Sequence, residues 1–291
     1  MQGILMDNWS IENIIAYVNE EDSKSYNKEY IDLLEAIVLW DNIFYPENTY
    51  SSWWKYVGKD HSINKIIKPI QDNAEAFRGE IEEILNNINN TNNFTEIISK
   101  GAVKYMLLSN KNGLNYFPCE ERCIFLEKSD LFDNFKNISR FDIIRTLDKE
   151  IVKYYEELHK FFGKNIFSFE IPLLADFIIQ NTPNNMSHID YAIKLREDRH
   201  VVAYRKYLDE IEMAFNSAQW DKILKFEQET KGLVKDIFEE KKFVDSISVN
   251  LLALPSFNIS IANFPFKKNV HLNFLRRLGK FAYKERNIRM K

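Results

Sequence analysis

Bulky apolar residues recur three and four positions apart through much of this chain, the spacing that builds one face of an α-helix. The longest run predicts a helix over 139–162, with Ile144, Leu147, Ile151, Tyr154, Leu158 and Phe161 on one stripe. Ser139 stands where an N-cap belongs and Gly163 where a C-cap belongs. A second helix is expected over 197–215, through Val201, Tyr204, Leu208, Ile211 and Phe215. A third follows over 218–240, through Trp220, Ile223, Phe226, Leu233 and Ile237. The short Asn216-Ser217 joint between these two predicts an αα-hairpin. In the first half the same spacing predicts helices over 28–44, ended by Pro46, over 72–88 and over 94–108. The Asn-rich stretch 86–93 reads as a solvated loop and Asn112-Gly113 as a turn.

Near the C-terminus the period falls to two. Ile247, Val249 and Leu251 alternate with polar residues, and Phe257, Ile259 and Ile261 do so again after Pro255. Two strands joined by a proline-containing turn are expected there. The predicted architecture is therefore mainly α, a packed multi-helix array with a small β-hairpin near the C-terminus. Periodicity is lost over 113–138. That stretch reads as a connection between a helical region at 1–112 and another at 139–291, within two domains or one.

Composition narrows the class. The 291 residues are 45% hydrophobic and 28% charged, with 14% aromatic, as in ordinary globular proteins and unlike disordered ones. Two cysteines exclude a disulfide framework. The first residues carry Asp7 and Glu12 instead of a secretory pattern, and no apolar run reaches membrane-spanning length. A cytoplasmic protein without a membrane partner is expected. The eight glycines stand apart, so neither GxGxxG nor GxxxxGK[ST] exists. That speaks against nucleotide loops and against a doubly wound α/β fold. No cofactor is implied.

Charge is polarised. Residues 267–291 hold nine basic side chains and one acid, against 30 basic and 42 acidic in the rest of the chain. Lys267, Lys268, Arg276, Arg277, Lys280 and Lys284 are candidate contacts to nucleic acid or an acidic partner. The plainer reading docks this helix through Val270, Phe274, Leu278 and Phe281 and leaves its charges on the acidic body or in solvent. Tyr50, Trp53 and Trp54 belong to an aromatic cluster between two early helices. They are a candidate partner surface, set against ordinary core packing.

Other motifs carry less. Glu156 with His159 and Glu197 with His200 have the Glu-x-x-His spacing of di-iron helical bundles. On the first helix, however, His159 lies about 100° and Glu156 about 160° from the stripe residue Leu158, away from a bundle core. Cys119 and Cys123 lack a second thiol pair or a nearby histidine and read as buried free thiols. Glu229-Thr230-Lys231 with Asp221 imitates a nuclease ExK inside a helical pattern. The leading functional expectation is a non-catalytic binding or assembly protein acting through protein contacts or self-association. The runner-up is a nucleic-acid effector or nuclease-associated subunit, its microbial or phage conflict setting suggested by Ile/Asn/Lys-rich usage. The third is a helical di-metal oxidase.

Overall fold

The computed structural model describes residues 3–19, 27–47, 61–72, 74–88, 94–131, 139–160, 171–249 and 270–289, with Trp53, Lys55 and Gly58. The chain divides into two compact units, one of Met1–Arg140 and Ile178–Glu197, the other of Phe141–Phe177 and Asp198–Lys291.

Four parallel strands organise the first unit: β1 (Gly3–Met6), β2 (Asn42–Pro46), β3 (Ile67–Ile70) and β4 (Asn115–Phe117), in the order β3-β2-β1-β4. Ile4 lies opposite Ile43 on one side and Asn115 on the other. Around the sheet run α1 (Asn8–Asn19), α2 (Lys28–Leu39), α3 (Arg78–Asn87), α4 (Glu96–Asn112) and α5 (Glu120–Lys128). Chain that returns from the second unit adds α8 (His188–Arg196), which packs on α2.

Helices predominate in the chain, but this sheet corrects the expected architecture. All four residues of β1 are buried, as are four of five in β2. Parallel strands covered on both faces read as unbroken apolar runs, which periodicity cannot separate from a buried helix. The helix expected over 28–44 therefore stops at Leu39. Trp40 turns to an extended conformation and Asn42–Pro46 becomes β2. Helix α2 is itself buried on nearly every side, so no polar face announces the change. The connection expected over 113–138 contains β4 and α5.

The sheet needs little glycine at its turns. Asp7 and Cys119 start α1 and α5, while Gly113, at φ 62°, takes the left-handed conformation that ends α4 ahead of β4, and Gly58, at φ 81°, lies between β2 and β3. The C-terminus of α2 is closed by two guanidinium groups. Buried Arg140 donates to the Leu39 carbonyl at 2.6 Å. Arg196 donates to the carbonyls of Ile37 and Asp41, both at 2.8 Å, and to that of Trp40. Orphan carbonyls at the negative end of a buried helix thus meet positive charge.

The second unit holds α6 (Arg140–Lys160, whose first residue closes the first unit's opening segment), α7 (Leu173–Asn181, whose last four residues belong to the first unit), α9 (Arg199–Asn216), α10 (Trp220–Val249) and α11 (Leu272–Arg289). Its apolar stripes largely face inward: Ile144, Leu147 and Ile151 on α6, Val201, Tyr204, Leu208 and Ile211 on α9, and Ile223, Phe226, Leu233 and Ile237 on α10, whereas Trp220, placed on the last stripe by its spacing, is 61% exposed. Between α9 and α10, Gln219 N donates to Ala214 O at 2.8 Å and Ala218 adopts φ 52° to close the tight turn.

The hairpin expected near the C-terminus is corrected for its first strand. Ser246–Val249 continue α10, because a helix already nucleated gains a hydrogen bond per added residue and overrides a short alternation. Leu251, Phe257, Ile259 and Ile261 lie outside the described residues. No helix among the described residues is long and apolar enough to cross a membrane.

Replacing Arg140 by Ala strips a buried carbonyl of a charged donor. We expect a stability loss of about 1.5–3 kcal/mol, read as a lower urea midpoint at unchanged m-value.

Candidate functional site

In open parallel sheets ligands bind outside the carboxyl ends of the strands, where the strand order reverses. Here the chain runs from β1 outward through β2 to β3 and returns to β4 on the other side of β1, so the reversal lies between β1 and β4. Asp7 directly follows β1 at this point and is wholly buried.

The Asp7 carboxylate accepts from five donors. Oδ1 receives Ser10 N at 2.9 Å and Ser10 Oγ at 3.2 Å, which caps α1. Oδ2 receives the Tyr116 hydroxyl at 3.0 Å, the Cys119 amide at 3.3 Å and Arg122 Nη1 at 2.9 Å. One side chain thereby ties β1 and α1 to β4 and α5. Arg122, 3% exposed, also donates through Nη1 to Asn8 Oδ1 at 3.0 Å. Its guanidinium carbon lies 4.6 Å from the Trp9 ring centroid and 5.1 Å from that of Tyr105. Arg122 packs onto Gly101 of α4, where a Cβ would stand 2.5 Å from Nη2. The glycine that weakens α4 by propensity is what admits the cation.

Electrostatics follow this burial. Burial pulls the Arg122 guanidinium down, but Asp7, Tyr116 and Cys119 together outweigh it and hold Arg122 above its ordinary value. Burial, with Asp7 adding to it, pushes the Tyr116 phenol well up and the Cys119 thiol up to about 12. Beyond Cys119, Glu29 Oε1 accepts the Glu120 amide at 3.2 Å. Lys28 Nζ lies 3.2 Å from Asp32 and 4.9 Å over the Phe117 ring. The half-buried Cys123 thiol donates to Glu127 at 3.8 Å and is pushed up chiefly by burial, against the pull of Lys28. Both thiols are protonated near neutrality and are free. At the switch point the chain's own buried charges pair with one another.

The residues singled out by sequence reasoning lie elsewhere. Glu156 is exposed on α6, and the side chain of His159 lies outside the described residues. Glu197 is exposed at the end of α8, and His200 Nδ1 lies 3.3 Å from Asp198 on α9. Among the described residues no group of three or more His, Cys, Asp or Glu is placed to hold a metal ion. Trp53 is 1% exposed, which removes it from an exposed contact surface and makes it core; Tyr50 and Trp54 lie outside the described residues. On α11, Phe274 and Leu278 are buried, whereas Val270 ahead of the helix is 46% exposed. Arg277 is 3.6 Å from Asp198 and lies over the Phe177 ring, Arg276 is half-buried and Lys280 exposed. Lys267, Lys268 and the side chain of Lys284 lie outside the described residues. Glu229 accepts the Tyr207 hydroxyl and Lys231 faces Glu227, both inside helix α10. No family model, curated protein or solved structure matches the chain.

Arg122→Ala leaves Asp7 buried without its counter-charge and is expected to lose about 3–5 kcal/mol in urea unfolding. Gly101→Ala destabilises the native chain despite its gain in helix propensity. In an Arg122→Ala background the collision is gone, so the same substitution is expected to stabilise by about 1 kcal/mol. A Gly101→Ala effect of the same sign in both backgrounds would refute the close contact.

Proposed function

We propose that the protein is a non-catalytic binding or assembly protein acting through protein–protein contacts, with a cytoplasmic setting. The observation that carries this reading is the state of Asp7. The carboxylate placed where such sheets hold ligands is saturated by five internal donors, and a guanidinium fills the position a ligand cation would take. The flanking thiols are held in their unreactive form. A site arranged this way stabilises a scaffold and leaves no activated nucleophile or base in the cleft. Two free cysteines agree with a reducing compartment.

Contact surface is offered at the turn end of the α9–α10 hairpin. Met213, Trp220 and Leu224 are 65%, 61% and 53% exposed there, and Phe215 meets the Trp220 indole edge-on at 6.1 Å. Large apolar side chains left outward at one end of a helix pair, with a tryptophan among them, suit a protein partner or a second copy. A second reading, contact with nucleic acid or an acidic partner, draws on α11, where Lys280 is exposed and Arg276 half-buried. Arg277 is already committed to Asp198 and Phe177 and contributes less to it.

Native mass measurement of the purified chain, with and without cell extract, tests the first reading. A discrete complex or homo-oligomer is expected, and Trp220→Ala with Leu224→Ser should dissolve it while leaving the circular dichroism unchanged. A strictly monomeric chain that retains no partner would overturn it. Charge reversal at Arg276 and Lys280 tests the second: salt-sensitive binding to nucleic acid should disappear, and binding that persists rejects α11 as the contact.

A further inference from the structure

His271 stands one residue ahead of α11, and its ring lies flat on Tyr207 of α9, with centroids 4.0 Å apart and planes 19° from parallel. Three residues on, Phe274 packs against Tyr204 of α9 at 5.4 Å. Two rings at the start of the basic helix thus rest on two tyrosines of one neighbouring helix. Tyr207 is itself fixed, because its hydroxyl donates to Glu229 Oε2 on α10 at 2.8 Å. The charged and titratable groups facing His271 are Tyr207 and Glu210 on α9 and Lys225 and Glu229 on α10. Glu229 already serves Tyr207 and lies 3.9 Å from Lys225. His271 Nε2 is buried with no hydrogen-bond partner among the described residues. A neutral ring bearing its proton on Nδ1 leaves Nε2 as a bare acceptor. A protonated ring would instead bury an N–H without an acceptor, beside the positive end of a helix.

We propose that His271 is a proton-sensitive latch for α11: the neutral ring, stacked on Tyr207, holds the start of this basic helix against α9 and α10, and protonation releases that end. Burial lowers the His271 pKa below its ordinary value of 6.5, and Lys225 adds to this while Glu229 and Glu210 oppose it. A group that binds its proton less readily when docked than when free stabilises docking fully above the ordinary imidazole range. The contribution is lost as pH falls through 6.5 towards the lower docked value. The latch therefore opens on acidification and frees the end of a helix rich in arginine and lysine.

Hydrogen exchange of the full chain, read on peptides from 272–282 and corrected for the intrinsic rate, tests this between about pH 7.5 and about pH 5.5. Protection should fall several-fold on acidification in the native chain, while peptides from the first unit change less. His271→Phe keeps an aromatic stack that cannot charge and should abolish the pH dependence. His271→Ala removes the stack and should speed exchange at both pH values. Equal loss of protection in His271→Phe, or no loss in the native chain, would overturn the proposal.

Discussion

The first unit depends on one buried ion pair. Asp7 and Arg122 are 115 positions apart, yet their contact at 2.9 Å joins the end of β1 to the helix that follows β4. Neither charge survives burial alone; the mutual attraction and the further bonds from Ser10, Tyr116, the Cys119 amide and Asn8 offset the loss of water. The rings of Trp9 and Tyr105 and the bare backbone of Gly101 complete the enclosure. Because the pair sits at the reversal of strand order, it ties the helix after β4 to the end of β1. Fold and functional reading rest on the same contact.

The two halves of the chain were unequally legible in its sequence. Helix α9 buries one stripe and leaves its other face more open, so Val201, Tyr204, Leu208 and Ile211 declare it by spacing alone. The sheet made no such declaration. Its strands are three to five residues long and bury both faces where they matter, so Ile43, Phe44 and Tyr45 look like one more turn of α2. Glycine scarcity misled for a related reason. A β-to-α turn can be built from an extended N-cap such as Cys119 or a capping carboxylate such as Asp7, and glycine is favoured where φ turns positive, as at Gly113.

The candidate site was visible in fragments. Asp7 directly after Ile4-Leu5-Met6, with Ser10 three residues on, is the pattern of a strand running into a capped helix. The pattern was too short to stand out without the second strand. Arg122 lies between Cys119 and Cys123, and the cation, not the thiols, makes the buried contact to Asp7. No local spacing relates residue 7 to residue 122; only strand order brings them together. The Glu-x-x-His pairs have the opposite character, strong in local spacing, while exposed Glu156 and Glu197 fall in different units.

The basic helix shows the same separation between composition and contact. Its charge excess is a property of the segment, but its cations differ in their surroundings: Arg277 lies 3.6 Å from Asp198 and over the Phe177 ring, and Arg276 is half-buried. What fixes the helix is apolar, through Phe274, Leu275, Leu278 and Ala282, with a single titratable ring at its start. Because Asp198 already meets Arg277, releasing one end of the helix would change which charges face outward without altering the total.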